Sequence, residues 1–254
     1  VGAVSAKAVV LSNGHIAAQS ILVTGEEASI AARQVLELAL AEAGLSLEDV
    51  GHIIATGIGK GGVDLANKTK SEVVCLAKGA AWLNPATRTV IDIGAESSKV
   101  LRLNENGGVD DFASNDKCAS GTGVFLQAAA KILEVKLDDL GALSLAALGK
   151  ASISGMCAVF AESEIVSHVH SEVPKGDIIA GVHNAIADRV SAVVNRVGPM
   201  EVVLMCGGVA RNIGMVKALE GKIGFSLAVP ETPEIVAALG AALIAKEALA
   251  KGSR

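Results

Sequence analysis

The sequence predicts an α/β protein with mixed sheets, built from two similar halves. Apolar runs that are typical of strands alternate with helical periodicity along the chain. A Gly-Ala-x-Ser-x-Lys pattern occurs twice, from Gly2 and from Gly94, each time followed by a strand, an Asn-Gly turn and a second strand. The length of 254 residues is sufficient for two medium-sized domains, each with its own core.

The two copies of this pattern pair residue by residue. The matched positions are Gly2, Ala3, Ser5 and Lys7 in the first copy and Gly94, Ala95, Ser97 and Lys99 in the second. Asn13-Gly14 and Asn106-Gly107 predict hairpin turns, because both residue types tolerate positive φ. A chance match between turn residues is the alternative explanation. Asp92 precedes the second copy and nothing precedes Val1, so the repeat predicts that a first strand and its equivalent acid are absent from this sequence.

The remaining elements follow in alternation. A helix is expected from about Glu26 to Gly44, and a capping box from Ser46. Asn84-Pro85 marks the predicted passage between halves, which assigns 1–88 plus 234–254 to the first half and 89–233 to the second. The second half should contain the strand 90–93, a hairpin, two cysteine loops with their helices, a long helix over 177–197 and a strand ending at 207. A final helix is expected over 233–250.

Composition excludes several classes of function. The net charge of −5 and the scattered basic residues indicate no nucleic-acid partner. Aromatic residues make up 2% of the chain, and no apolar run reaches bilayer length, so no membrane association is expected and the protein is predicted to be cytoplasmic. The four cysteines are widely spaced, which indicates neither a disulfide framework nor a zinc ribbon.

Cys118 and Cys157 each stand where a loop of small residues gives way to an amphipathic helical run. A thiolate at a helix start faces the positive end of the macrodipole and unpaired backbone N–H groups. Two thiolates are half of a four-cysteine site, so two chains meeting at a symmetry axis could hold one [4Fe–4S] cluster. The alternative is that both are small buried apolar side chains.

Glycine turns that follow strands are the second chemical signal. Backbone N–H groups in the turns at Gly2 and Gly94 could bind phosphate, and Asp92 could hold Mg²⁺ or orient water. The segment from Gly207 to Asn212 follows an apolar strand and opens a helix, where glycine would let a nucleotide approach closely.

These motifs, with "DIGAESSK", "NDKCASGTG", "SGMCAVFAESE" and "GGVARN", resemble the ATP-dependent activators of 2-hydroxyacyl-CoA dehydratases and the ATP-binding subunits of benzoyl-CoA reductase. The resemblance covers essentially the whole chain. It implies a duplicated actin-like (ribonuclease H-like) ATPase fold with a central nucleotide cleft, as in the actin, sugar kinase and heat-shock ATPase superfamily. The cysteine motifs are its specific part, since superfamily kinases lack them.

The resemblance also implies roles for single residues. Cys118 and Cys157 would ligate one [4Fe–4S] cluster shared by two subunits, and Asp92 would be catalytic. ATP or ADP with Mg²⁺ would contact Gly2, Ala3, Lys7, Gly94, Ala95, Glu96, Gly121, Thr122, Gly123, Gly207, Gly208 and Asn212.

The implied function is ATP-dependent electron transfer. ATP binding and hydrolysis would allow one low-potential electron to pass to a partner that acts on a CoA thioester, a dehydratase or a reductase. The chain would form a homodimer, or a heterodimer with a paralogous ATPase subunit, and a ferredoxin or flavodoxin would be the electron donor.

The chain departs from the family pattern in both phosphate turns. Ala3 and Val4 stand where the family usually has Ser or Thr, and Gly94-Ala95-Glu96-Ser97 replaces Gly-Gly-Gln-Asp. These losses bear on Mg²⁺ binding and hydrolysis. The second turn is more similar to that of the smaller ATP-binding subunit of benzoyl-CoA reductase.

Two other functions remain open from the residues. One is a small-molecule kinase of the same superfamily without a cluster, and the other is a non-catalytic scaffold that completes the cluster of a heterodimer. Glu162 and Glu164 are either a catalytic acid or a solvated surface, which is the favoured interpretation, and His168 and His170 are interpreted as surface residues and not as ligands. Cys75 and Cys206 are interpreted as packing residues.

Overall fold

The computed structural model describes residues 1–115, 122–154 and 157–252. It confirms the α/β class. The chain divides into two compact units. The first unit comprises residues 1–87, 103–110 and 234–254, and the second comprises residues 88–102 and 111–233.

The elements alternate along the chain. The first part contains β1 (Ser5–Ser12), β2 (His15–Val23), α1 (Ala28–Glu42), β3 (Ile54–Ala55), β4 (Lys68–Thr69) and α2 (Glu72–Leu83). The middle part contains β5 (Thr89–Ile93), β6 (Ser98–Leu103), β7 (Val109–Asn115), α3 (Gly123–Ile132), α4 (Leu140–Leu145) and α5 (Ala158–His170). The last part contains α6 (Lys175–Val197), β8 (Val203–Cys206), α7 (Ile213–Ile223), β9 (Leu227–Ala228) and α8 (Val236–Gly252).

The first unit is assembled around an antiparallel hairpin and two tightly packed helices. Strands β1 and β2 pair with Ser12 opposite His15, and Asn13 and Gly14 have φ of 53° and 86°, which confirms the predicted two-residue turn. Helices α2 and α8 approach so closely that a Cβ on Gly240 would lie 1.8 Å from the carbonyl oxygen of Cys75. Only glycine permits this backbone contact.

The second unit contains a five-stranded mixed sheet in the order β7-β6-β5-β8-β9. Strand β6 is antiparallel to β5, whereas β8 runs parallel to β5 and β9 parallel to β8. All five residues of β5 are buried, as is typical of a central strand covered on both faces. The parallel pair places the carboxyl ends of β5 and β8 side by side, at the edge of the sheet where α/β proteins bind ligands.

Separate apolar clusters stabilise the two units. The cluster of the second unit includes Phe125, Ile165, Ile178 and Ile186, each fully buried. The smaller cluster of the first unit is built from alanine and valine, for example Ala39. Within the described ranges, no helix has the length and apolar character needed to cross a membrane.

Candidate functional site

A tight turn follows β5 in the second unit. The backbone N–H of Gly94 donates to the carbonyl oxygen of Ser97 at 2.9 Å, and Lys99 Nζ donates to Ser97 Oγ at 2.7 Å. Glu96 is exposed at the tip of the turn, and Ala95 is half-buried. The predicted phosphate turn therefore exists and carries a lysine ammonium beside it.

The start of α3 rests on this same turn. Gly123 N–H donates to Gly94 O at 2.9 Å and Val124 N–H donates to Ala95 O at 2.8 Å. A Cβ on Gly123 would lie 3.2 Å from Gly94 O and 3.2 Å from Val209 Cγ2. The structure thus brings Gly123, which the sequence predicted as a nucleotide contact, to the predicted phosphate turn. Thr122 is buried just before it, and Gly121 lies outside the described residues.

Gly207 closes the end of β8 against the end of β5. It has a φ of 83°, and a Cβ on it would lie 2.4 Å from Ile93 O and 2.7 Å from Asp92 Oδ1. Its N–H donates to Pro233 O at 2.9 Å. The next residue, Gly208, is exposed, and a Cβ on it would meet nothing within 4 Å. An external group can therefore approach the backbone at Gly208.

Asp92 lies at this junction of strands. It is 7% exposed, and its Oδ1 accepts a weak hydrogen bond from the Cys206 thiol at 3.7 Å. A carboxylate held at the carboxyl end of a central strand, beside two glycine turns, has the placement expected of a group that binds Mg²⁺ or orients water.

The first unit repeats the turn. Gly2 N–H donates to Ser5 O at 3.0 Å, and Lys7 Nζ donates to the same oxygen at 3.1 Å. The neighbouring Ala3 is exposed. Thr24 Oγ1 donates to Gly2 O at 2.9 Å. The sequence repeat between Gly2 and Gly94 is therefore also a repeat of hydrogen-bond geometry.

Gly57 has in the first unit the position that Gly207 has in the second. Its φ is 88°, and a Cβ on it would lie 2.4 Å from the carbonyl oxygen of Val1, the residue before Gly2. Gly207 has the same relation to Ile93, the residue before Gly94. Each of the two glycines also precedes a short 3₁₀ turn. The available signal was a strand that runs into glycine, which both segments share.

The side chain of Asn212 makes two contacts within the protein. Its Oδ1 accepts from Met215 N–H at 3.0 Å, which caps α7, and its Nδ2 contacts His183 Nε2 at 3.0 Å. His183 is 1% exposed, and burial lowers its pKa from 6.5 to about 4. His183 lies within the apolar pattern of α6, so no sequence pattern marked it as a functional residue.

Cys157 occupies the N-cap position of α5. Its backbone is extended, its carbonyl oxygen accepts from Ala161 N–H at 3.0 Å, and its half-buried thiol forms no disulfide. The macrodipole of α5 favours negative charge at this position. Cys118, the other predicted iron ligand, lies outside the described residues.

Two side chains of α5 hold the segment that leads towards Cys157. Glu164 Oε2 accepts from Ser154 N–H at 2.5 Å, and His168 Nε2 lies 2.9 Å from Ser152 O. The interpretation of Glu164 as a solvated side chain was therefore wrong, because its carboxylate satisfies a loop N–H group. Of the packing residues, Cys75 and Cys206 are both fully buried, as expected.

The sequence of this chain matches a known protein family. The model of the BadF/BadG/BcrA/BcrD ATPase family matches residues 1–245. The 2-hydroxyisocaproyl-CoA dehydratase activator of Clostridioides difficile is 42% identical over 245 residues, 96% of this chain and 92% of the activator. A benzoyl-CoA reductase subunit from Thauera aromatica is 35% identical over 187 residues, 72% of this chain and 65% of that protein.

Solved structures agree with this relationship. The activator of 2-hydroxyisocaproyl-CoA dehydratase from Clostridium difficile, solved with bound ADPNP, superposes with a TM-score of 0.95 at 41% identity, over 100% of this chain and 94% of the other. Component A of (R)-2-hydroxyglutaryl-CoA dehydratase from Acidaminococcus fermentans gives a TM-score of 0.94 at 40% identity, over 98% and 96%. The fold is the actin-like ATPase fold that the resemblance implied, and the chain belongs to the BadF/BadG/BcrA/BcrD ATPase family.

Proposed function

We propose that this protein is an ATP-dependent activator of a 2-hydroxyacyl-CoA dehydratase, which delivers one low-potential electron from a [4Fe–4S] cluster shared by two chains. The observation that carries the proposal is the thiol of Cys157, half-exposed at the N-terminus of α5 in a chain that belongs to an ATPase family. When bound, the cluster would supply a one-electron carrier at low potential.

The cluster would be completed by a second chain. Among the described residues, no group of three or more His, Cys, Asp or Glu side chains could hold a metal ion. Cys118 and Cys157 from each of two chains would supply the four thiolates that a [4Fe–4S] cluster needs. The mate is a second copy of this chain or a paralogous subunit.

ATP binding is assigned to the glycine turns. Backbone N–H groups near Gly2, Gly94 and Gly208 would contact the nucleotide, with Lys7 beside the first turn. Asp92 would hold Mg²⁺ or orient the attacking water. The solved relative with bound ADPNP supports nucleotide binding in this fold.

Inside the second unit, the proposed phosphate turn contacts α3, and α3 contacts the helix that begins after Cys157. The start of α3 donates two backbone hydrogen bonds to Gly94 and Ala95, and α3 packs against α5. Cys118 precedes α3 and Cys157 precedes α5. A change at the turn on ATP hydrolysis would therefore move the start of α3 and, through α3, the start of α5 that carries the Cys157 thiol.

The partner would be a CoA-thioester enzyme. Identity to the dehydratase activators is higher, and extends over a longer match, than identity to the benzoyl-CoA reductase protein, which favours a dehydratase. The electron donor would be a ferredoxin or flavodoxin. We place the protein in the cytoplasm, where thiols stay reduced.

Anaerobic purification tests the cluster. We expect a brown protein with about 4 Fe for two chains, and loss of that iron in Cys157→Ser. Cys75→Ala is the matched control, because Cys75 is a fully buried packing residue. A colourless wild-type protein whose ATPase activity depends on a sugar or acid would contradict the proposal and indicate a small-molecule kinase.

Gly208→Leu tests nucleotide binding. The added side chain meets no protein atom within 4 Å at its Cβ, so the fold should persist while the approach of nucleotide is blocked. Gly221→Leu, at an equally open and exposed glycine in α7, is the control. Calorimetric titration with a non-hydrolysable ATP analogue should show binding to wild type and Gly221→Leu and none to Gly208→Leu. Equal binding by both variants would contradict the assignment.

A further inference from the structure

Three hydrogen-bonded polar side chains, here called the polar chain, lie behind the Gly207–Asn212 turn, and the central one, His183, is buried. Asn212 Nδ2 is 3.0 Å from His183 Nε2, and His183 Nδ1 is 2.9 Å from Ser144 Oγ. Ser144 Oγ donates to Gly141 O at 3.0 Å. The chain crosses from α7 through α6 to α4, so three helices meet at His183.

The hydrogen bonds assign a direction to this chain. Asn212 Oδ1 accepts from Met215 N–H, so the other side-chain atom of Asn212 is the donor amide. His183 Nε2 must then accept, which places the ring proton on Nδ1, where it donates to Ser144 Oγ. The pKa of about 4 that burial imposes on His183 agrees with this neutral form.

The residues around the polar chain are tightly packed. A Cβ on Gly214 would lie 2.2 Å from Ser144 Oγ and 2.9 Å from His183 Cε1. A Cβ on Gly141 would lie 3.0 Å from Asn212 Oδ1. Glycine at both positions lets α4 and α7 close on the polar chain, so the orientation of Asn212 is tightly determined.

An apolar core could hold three helices together without polar groups, and buried polar groups stabilise only when every partner is satisfied. The polar chain therefore serves to fix the orientation of Asn212. Asn212 ends the 3₁₀ turn Gly208–Arg211, its N–H donates to Val209 O, and it begins α7. Tilting Asn212 would tilt the backbone of this turn, which begins directly after Gly207, the residue that lies against Ile93 and Asp92.

We propose that His183 and Ser144 are positioning residues for nucleotide binding, which hold Asn212 and thereby the backbone of the Gly208–Arg211 turn without touching the nucleotide. This inference rests on the proposed function, because it takes that turn to be part of the ATP site. His183 makes two side-chain contacts, and the proposal depends on the one in which Nε2 accepts a hydrogen bond from the Asn212 amide.

Two isosteric replacements separate the two contacts. In His183→Gln the side-chain oxygen can reach the place of Nε2 and still accept from Asn212. In His183→Asn the amide can reach the place of Nδ1 and still donate to Ser144, but Asn212 loses its acceptor. Val190→Ala, at a fully buried residue of α6, is a control for lost packing alone.

The experiment measures the Kd of a non-hydrolysable ATP analogue by calorimetry, and the melting temperature, for the full chain and each variant. Titrations are run well below every melting temperature, so that folded protein is compared with folded protein. We expect His183→Asn to raise the Kd about tenfold, the effect of one lost hydrogen bond to a positioned group. His183→Gln and Val190→Ala should stay within about threefold of wild type, although both lower the melting temperature.

Ser144→Ala extends the test. It removes the group that holds the His183 ring from the far side, so we expect a smaller rise in Kd, about threefold. A His183→Asn variant that binds the analogue as tightly as Val190→Ala does would overturn the positioning role and leave the nucleotide site intact. A wild-type chain that does not bind the analogue would overturn the nucleotide site itself, and this inference with it.

Discussion

The glycine turns of the two units share one geometry but are held by different groups. In the first unit the carbonyl oxygen of Gly2 accepts from the Thr24 hydroxyl at 2.9 Å. In the second unit the carbonyl oxygen of Gly94 accepts from the backbone of Gly123, at the start of α3, also at 2.9 Å. The same acceptor therefore has a side-chain donor in one unit and a helix N-terminus in the other.

The difference follows from the connection after each hairpin. In the first unit residues 24–27 join β2 to α1, whereas in the second unit the longer segment 116–122 joins β7 to α3 and carries Cys118. The duplicated turn thus became attached in the second unit to the helix that follows a predicted iron ligand. The first turn is therefore held by a side chain, and the second by the start of the helix that follows Cys118 in the sequence.

The largest effects are expected at the two glycines that close the strand ends. Gly207→Ala places a Cβ 2.4 Å from Ile93 O at a φ of 83° and should lower the free energy of unfolding by about 3 kcal/mol. Gly57→Ala should cost a similar amount, because its Cβ would lie 2.4 Å from Val1 O. Urea denaturation measures both. Gly208→Ala is the control, because its Cβ would meet no atom within 4 Å. If only one of the two substitutions lowered the free energy of unfolding by this amount, Gly57 and Gly207 would not be equivalent.

The second unit should show a pH-dependent stability that arises from His183, behind its turn. Unfolded His183 takes up a proton near pH 6.5, whereas in the folded protein its pKa is about 4, lowered by burial. The free energy of unfolding should therefore fall as the pH drops from 6.5 to 4, by about 3 kcal/mol in total.

Urea denaturation at several pH values in this window measures that loss. His183→Gln should remove this part of the pH dependence, since glutamine does not titrate. An unchanged slope in the variant would show that other groups cause it.

The next largest effect is expected on ATP binding, at Lys7 and Lys99. Lys7→Met and Lys99→Met each remove an ammonium that hydrogen-bonds at its glycine turn. Each should raise the Kd for ATP about tenfold, with a smaller effect on adenosine, if both turns meet phosphate. Calorimetric titration with ATP analogue and adenosine measures this. A loss at only one lysine would show that the two turns have different ligands.

The smallest effect is expected at Thr24. Thr24→Val keeps the shape but removes the donor to Gly2 O, and should lower the free energy of unfolding by about 1 kcal/mol. Thr24→Ser, which keeps the hydroxyl, is the control. Equal losses in both variants would show that the methyl contacts of Thr24 and not its hydrogen bond hold the first turn.

The features that the sequence predicted correctly are those that depend on local patterns. The hairpin at Asn13-Gly14 and the capping box at Ser46 depend on a few adjacent residues, so both were predicted and both are present. The roles of Gly57 and Glu164 depend on contacts with distant segments, at Val1 and Ser154. No local spacing reports such contacts, and these two residues were missed or misread.

By itself the sequence determined the α/β class, the repeated turn and the family, because periodicity and turn chemistry are written in neighbouring residues. The tertiary structure alone decided that Asn212 contacts a buried histidine. It also decided that Gly207 closes against Ile93 and Asp92. The physical reason is that burial and close approach are properties of segments far apart in the chain, which meet only when the helices and strands pack.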